Sequence, residues 1–493
     1  MGVKDETHVR YEPIDRRQIV LEPLDVEQLI GEDHPARSIW KLVGRLDLTR
    51  FSEGIKSVEG HAGRNVWAPQ LLIAMWIYAY SRGISSAREI ERQCGYEPAL
   101  RWLTGLQIVN HHTLSDFRVQ HGEALQNLFV QVLGMLTMEK LVTLERVTVD
   151  GTKVRACVNK KTFSRAGKIR EHLQVARQHV EQLQREEAEQ EQRARGWSAR
   201  RRAARERVER LESALVEVER LQAEKKWYRE KPCQASTADA DAQFMRTSDH
   251  GLAPAYNVQL ATDARNKLIV DVAVSKQPSD SFHLLPALDR IERNLGSYPE
   301  QAVADGDYTK REAVAGAAQR GVDYYGSWSE NSETRIGHGI AAEYHPSKFC
   351  YEAESNEMIC PEGRRLALRT IKEGAGGVQL SVYAARREDC RCCEKRLFCT
   401  PHNAMHKHGR AVSRRTEAAA IERYRAKMET AEARAIYKQR APVAEFPHAW
   451  LKDKLKWTRL RCRGVRKAQM EALWTCLTYN LQRYFKLSQL KMA

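Results

Sequence analysis

Three acidic residues stand where a carboxylate gains nothing by packing. Asp150 falls in Glu145-Arg-Val-Thr-Val-Asp150-Gly-Thr-Lys-Val-Arg155, where Val147, Val149 and Val154 predict a β-strand. Asp305 follows a second short apolar strand, in Val303-Ala-Asp305-Gly-Asp307-Tyr308. Glu445 closes a basic helical stretch, Tyr437-Lys-Gln-Arg440-Ala-Pro-Val-Ala-Glu445. A desolvated carboxylate is costly unless it is paired or holds a metal. Strand, strand and late helix are therefore read as meeting in one acidic pocket for divalent metal. Asp307 rivals Asp305, because it too precedes Tyr308, but the apolar strand runs directly into Asp305. For Asp150 the competing reading is an Asp-Gly turn or bulge.

Composition narrows what such a pocket acts on. The chain has 493 residues, enough for two to four units. It is 42% hydrophobic and 29% charged, sufficient for real cores. Its formal net charge of +16 points to a polyanionic partner, nucleic acid first, although solubility accounts for part of it. No apolar run reaches about 18 residues, so no membrane span is expected. The start, Met-Gly-Val-Lys-Asp-Glu-Thr, has no apolar signal region, and a cytoplasmic place is expected. The 11 cysteines are odd in number and clustered late, which suits reduced thiols or a metal site better than a disulfide framework.

The elements that must position the carboxylates follow from patterning. Residues 1–140 read as a helical domain: a helix from Ala36 to Leu46, a buried one from Pro69 to Tyr80 ended by Gly83, short ones ended by Gly95 and Gly105, and a long one from Thr113 to Met138. Arginines on these short helices, Arg118 among them, suit a helix-turn-helix-like DNA contact, against an ordinary bundle with solvated arginines. Residues 141–164 supply the Asp150 strand. Residues 165–229 carry two apolar seams, Ile169 to Leu183 and Ala204 to Val218, that step by four and three and are broken at Gly196-Trp197-Ser198. They predict an antiparallel coiled-coil hairpin serving as a DNA arm, a dimerisation arm or a spacer. Residues 230–329 return to α/β, with a hairpin around Thr262-Asp-Ala-Arg-Asn266, a helix from Ser281, the Asp305 strand, a second helix and a strand at Gly321 to Tyr325.

Residues 330–410 form a Cys-rich insertion. Cys360, Cys390, Cys393 and Cys399 are candidate structural zinc ligands, against free buried thiols, with His402, His406 and His408 close behind. Residues 411–493 are helical and carry Glu445. From Lys452 to Ala493 there are 11 Lys/Arg against two acidic residues. Within this stretch Lys456-Trp-Thr-Arg-Leu-Arg461-Cys-Arg463 is a basic loop with an aromatic, read as a phosphate-backbone contact beside an acidic pocket or as a solvated face.

These features, in this order, resemble bacterial insertion-sequence transposases of the DDE class. Asp150, Asp305 and Glu445 correspond to the three family carboxylates. Tyr437, Arg440, Glu445 and Lys452 correspond to the Tyr-Arg-Glu-Lys signature of one subgroup. The Tyr256-Asn-Val-Gln259 strand, the Tyr479-Asn480-Leu481 helix and Thr113-Leu-Ser-Asp-Phe-Arg118 resemble the family too. The resemblance implies an RNase H-like α/β core that cuts insertion-sequence ends and joins them to target DNA. Its cofactors would be two Mg²⁺ (or Mn²⁺) ions about 3.5–4 Å apart. Asp150 would bridge them, with Asp305 and Glu445 each holding one, and Tyr437, Arg440 and Lys452 would contact phosphates. The partners implied are the double-stranded terminal inverted repeats and target DNA, with a homodimer formed on DNA at the nucleoid. A host or domesticated nuclease sharing the core, or a catalytically dead DNA-binding protein, are the alternative readings.

Overall fold

A computed structural model describes residues 23–53, 55, 65–189, 194–224, 233–247, 251–328, 340–373, 379–400, 409–416 and 419–492. The first 22 residues and the three histidines after Thr400 lie outside the described residues.

The N-terminal region is helical. Its helices are α1 (Pro35–Val43), α2 (Thr49–Ser52), α3 (Pro69–Ser81), α4 (Ala87–Gln93), α5 (Pro98–Thr104), α6 (His111–Gln120) and α7 (Gly122–Met138). Pro35, Pro69 and Pro98 open α1, α3 and α5, where a missing N–H costs nothing. Every residue of α3 from Leu71 to Tyr80 is buried, so this helix is the centre of the bundle. The single helix expected from Thr113 to Met138 is two, because His121 leaves helical geometry (φ −101°, ψ 50°) between α6 and α7.

The central mixed sheet is built on β1 (Arg146–Arg155). This strand does not turn at Asp150-Gly151, since its whole length pairs antiparallel with a later strand, Arg155 facing Ala255 and Val147 facing Asp263. Between these partners in sequence come β2 (Phe163–Ser164), α8 (Ala166–Glu189), α9 (Ala194–Glu224), β3 (Ala235–Ser236) and β4 (Gln243–Arg246). The partner is β5 (Leu252–Asp263), followed by β6 (Ile269–Ser275), α10 (Leu284–Leu295), β7 (Gln301–Ala304), α11 (Arg311–Gln319) and β8 (Asp323–Tyr325). The order β4-β5-β1-β7-β8, with β6 also on β5, combines antiparallel β6-β5-β1 with parallel β1-β7-β8. This mixed sheet, with its flanking helices, is compatible with an RNase H-like core.

Helices α8 and α9 lie along each other. Arg170 pairs with Glu219 (3.0 Å) and Arg177 with Glu212 (2.7 Å), so one runs up as the other runs down. Ile169, Leu173 and Ala176 meet Leu211, Ala214 and Val218 in a small separate core. Residues 196–198, expected to break the helix, lie inside α9.

A second, five-stranded antiparallel sheet comprises β9 (Cys350–Glu352), β10 (Glu357–Ile359), β11 (Arg365–Glu373), β12 (Gln379–Ala385) and, past α12 (Arg387–Arg391) and α13 (Arg396–Cys399), β13 (Ala411–Thr416). It therefore extends beyond the boundary expected at residue 410. The chain ends in α14 (Ala419–Met428), α15 (Ala431–Lys438), α16 (Arg440–Ala449) and α17 (Val465–Met492). Within the stretch expected to be helical, α14 and α15 are separated where Thr430 caps α15 through its hydroxyl.

Helix α17 joins the halves. It packs on α3, α6 and α7 on one side and on β6 on the other. Asn480 makes the sheet contact specific: buried, it accepts from the Ile269 N–H (2.9 Å) and donates to the Ile269 carbonyl (2.8 Å), satisfying both backbone groups on the free side of β6. Among the described residues no helix is long and apolar enough to cross a membrane.

Candidate active site

Strand register brings Asp150 and Asp305 together. β1 and β7 run parallel with Val149 opposite Ala304. β7 stops there, so Asp305 leaves the sheet next to Asp150, whose partner on the other side is Leu260 of β5. Asp150 is thus a mid-strand residue placed where its neighbour ends, and not part of an Asp-Gly turn. Burial pushes its carboxyl up to about 6, while Arg440 and the Gly151 N–H pull it down and Asp305 and Asp280 push it further up. Burial also pushes Asp305 up. The Asp307 N–H donates to Asp305 Oδ1 (2.9 Å), whereas the Asp307 side chain is exposed.

Asp280 is a member of this group that sequence reasoning missed. It lies in the loop between β6 and α10. It accepts from Lys153 Nζ (3.0 Å), Asn257 Nδ2 (2.6 Å) and Gln259 Nε2 (2.6 Å). Gly151 makes this approach feasible, because a Cβ there would stand 2.6 Å from both Asp280 Oδ1 and Gln259 Nε2. Gln259 also accepts from the buried Tyr308 hydroxyl, so the strand carrying Asp150 and the turn carrying Asp305 share one hydrogen-bonded floor.

Helix α16 lies across β1 and β5 and roofs the pair. Arg440 Nη1 is 3.5 Å from Asp150 Oδ2, and His448 Nδ1 is 3.9 Å from it. His448, also missed in the sequence, is pushed down to about 4 by burial, with Lys452 and Arg440 adding to the effect, so it is neutral. Its Nε2 is buried and finds no hydrogen-bond partner among the described residues. Lys452 sits in the π-turn that continues α16 (Trp450–Lys454). Burial lowers its pKa, and Asp453 and Asp150 hold it up. Tyr437 is half-buried on α15 and lines a groove of about 590 Å³ with Trp328, Arg425, Arg434 and Lys438.

Glu445 stands apart. It is exposed on α16, beside rather than on the face that Arg440 and His448 present to Asp150. It makes no hydrogen bond or ion pair among the described residues, and among these no three His, Cys, Asp or Glu side chains are grouped as a metal site. Two of the three expected carboxylates therefore meet. As hard oxygen donors, both penalised by burial, Asp150 and Asp305 suit a Mg²⁺-like ion.

The expected DNA contacts divide. Arg461 and Arg463 are exposed on a segment that runs beside the far end of β1, where the Leu460 N–H donates to the Arg155 carbonyl (2.8 Å). Arg155, Lys160, Lys161 and Arg459 are exposed nearby in the same segments. Trp457, the aromatic of this loop, is core, at 2% exposure. Arg118 is corrected in the same way. It is 6% exposed, donates to the Ser85 carbonyl (2.7 Å) and lies 4.7 Å over the Trp76 ring. A phosphate cannot reach it, and it holds α6 to α3.

Two family models match the chain. One describes a transposase domain and matches residues 24–120, the helical region through α6. The other describes a transposase DDE domain and matches residues 359–485, from the Cys360 turn through α16 into α17, including Arg440, Glu445 and Lys452. No curated protein matches. The mixed sheet is compatible with the RNase H-like core that a transposase DDE domain implies. These two matches support an insertion-sequence transposase of the DDE class, a class of metal-dependent enzymes acting on DNA.

Proposed function

We propose that Asp150, Asp305 and Glu445 are the catalytic carboxylates with which this transposase cuts its element's ends and joins them to target DNA. The observation that carries the reading is the in-register pairing that sets Asp150 beside Asp305, both desolvated and both next to Arg440. Mg²⁺ held by these carboxylates would activate a water and stabilise the leaving oxygen of a phosphodiester. Glu445 completes the set by swinging inward from α16, and DNA supplies the occasion, since it neutralises the roof. Arg440 and Lys452 then exchange Asp150 for phosphate oxygens, with Tyr437 placed beyond them on α15. His448, neutral at working pH, offers the roof a hydrogen-bonding group without a charge.

Cleavage puts the water oxygen on phosphorus and releases a 3′-hydroxyl at the element's end. That hydroxyl then attacks a target phosphodiester in line, joining the end and displacing a target 3′-oxygen. The exposed arginines Arg459, Arg461 and Arg463 extend the phosphate track away from the carboxylates along β1. Two ends cut together call for two copies of the chain, a homodimer assembled on DNA where the bacterial nucleoid provides it.

The test is strand cleavage of the element's own end DNA with Mg²⁺, comparing wild type with Asp150→Ala, Asp305→Ala, Asp307→Ala and Glu445→Ala. Loss of cleavage with retained DNA binding is expected for all but Asp307→Ala. Undiminished cleavage by any of the other three removes that residue from the set.

A further inference from the structure

We propose that Cys360, Cys390, Cys393 and Cys399 bind a structural zinc ion that fastens α12 and α13 to the second sheet. The four cysteines, from three separate segments, line a single cavity of about 30 Å³ under β10 and β11. That space admits one ion or one water and excludes an organic ligand.

Each segment is shaped around sulfur. At the β10–β11 turn the Gly363 N–H donates to the Cys360 carbonyl (2.8 Å) and the Cys360 N–H to the Arg364 carbonyl (2.9 Å). This folds the Arg364 N–H back onto Cys360 Sγ at 3.3 Å. Just past the end of α12 the Cys393 N–H donates to the Cys390 carbonyl (3.4 Å), which presents a Cys-x-x-Cys pair from one turn. The Arg410 N–H donates to Cys390 Sγ (3.3 Å). Gly409 allows that approach, since a Cβ there would stand 2.6 Å from the same sulfur. Backbone N–H groups aimed at sulfur stabilise thiolate, the form that ligates metal. Cys399 ends α13 and lines the same cavity as the other three.

Charge and packing favour the same conclusion. Four thiolates around Zn²⁺ leave two negative charges, and Arg364, Arg396 and Arg410 line the cavity against two acids, Glu362 and Asp389. The Arg410 Nε is buried with no hydrogen-bond partner among the described residues. The sheet itself rests on a core of six buried side chains, Phe349, Met358, Leu366, Tyr383, Ala385 and Val412, with Cys360, Cys390 and Cys399 packed at its edge. A core so small commonly needs a staple. All four cysteines are unpaired, and they line the cavity without being drawn into a closed set, so binding requires their side chains to converge on its centre. Four sulfur ligands in a tetrahedral arrangement select zinc over Mg²⁺.

The experiment is metal analysis of the reduced full-length protein, with Co²⁺ as a spectroscopic probe. About one zinc per chain is expected by elemental analysis, and titrated Co²⁺ should give the intense visible bands and near-ultraviolet sulfur charge transfer of a tetrahedral thiolate site. Cys393→Ser and Cys399→Ser should lose the zinc. Cys350→Ser and Cys392→Ser, exposed thiols outside the cavity, should keep it. Reduced wild type that neither carries zinc nor gives the cobalt spectrum overturns the proposal, whether or not the variants fold. So does equal zinc loss from Cys392→Ser and Cys393→Ser. Neither outcome touches the carboxylate assignment, which is read with Mg²⁺ on DNA.

Discussion

Replacing Asp150 by asparagine should stabilise the protein in the absence of Mg²⁺ above about pH 6, and should remove the stabilisation that Mg²⁺ confers. Only 21% of the Asp150 side chain is exposed, and burial is the largest influence on its carboxyl, raising it from 3.8 to about 6. The folded-state value is the higher one, so the folded chain holds this proton more tightly than the unfolded chain does. The proton's contribution to stability is complete below 3.8 and is lost as pH rises through about 6. A rise of about two units at about 1.4 kcal/mol each puts the cost of the ionised group near 3 kcal/mol, as an order of magnitude. Arg440, 3.5 Å away, already offsets part of the burial within that figure.

Asparagine keeps the shape and carries no charge to desolvate. Its advantage should therefore be near zero at about pH 4, grow to about pH 6 and stay level above it. In a chain this long that corresponds to a gain of a few degrees in Tm near pH 8. The assay is thermal unfolding at a series of pH values, without chelator so that a thiolate-held metal is undisturbed, with and without added Mg²⁺. Wild type should gain stability from Mg²⁺ near pH 8 and lose that gain as pH falls through about 6, because ligand protons compete with the ion. If Asp150→Asn melts below wild type near pH 8 without Mg²⁺, or if Mg²⁺ raises both proteins equally, Asp150 is not a desolvated metal-holding carboxylate.

Other perturbations separate the roles assigned above. Arg118→Ala should cost roughly 2–4 kcal/mol by leaving the Ser85 carbonyl and the Trp76 face without their cation, and should leave the salt dependence of DNA binding unchanged; a changed salt slope in a protein of normal Tm would restore Arg118 as a phosphate contact. Arg461→Ala and Arg463→Ala should do the opposite, each lowering the slope of log affinity against log salt by about one while Tm moves by about a degree or less. Gly151→Ala should reduce end cleavage at least about tenfold by driving Asp280 and Gln259 from the carboxylates, whereas Gly167→Ala on α8, with nothing within 4 Å of its Cβ, should be neutral; equal activity of the two would show that the Asp280 contact does not shape the site.

What the sequence disclosed, and what it hid, follows from how far each signal reaches along the chain. Strand β7 was legible because Gln301–Ala304 is apolar and bounded, and Asp305 was legible as its sequel. Asp150 was found for the right residue types but given the wrong setting. An Asp-Gly pair is a turn signal locally, and only β5, about a hundred residues on, keeps it extended. Arg118 looked solvent-facing because its partners, Trp76 and Ser85, belong to another helix and its approach. The break between α14 and α15 hung on Thr430, a capping residue within an otherwise helical pattern.

Asp280 is the instructive omission, since a signal for it was present two strands away. In Tyr256-Asn257-Val258-Gln259-Leu260 the two amides alternate with apolar residues, so a strand places both on one face. Both are buried, at 0% and 1% exposure, and a buried amide without a partner is costly. The pair therefore demanded a polar group above that face of β5. Across the ladder the facing residues are Lys153 and Gly151, the one a cation and the other a residue with no side chain to fill the space. An acid entering from a loop satisfies all of them at once: two amide donors, one ammonium and the gap over the glycine. Asp280 does so, and the consequence reaches the chemistry. The floor beside Asp150 is built from β5 amides, a β1 lysine and a loop carboxylate, so the position of Asp150 depends on a strand that contributes none of the three proposed carboxylates.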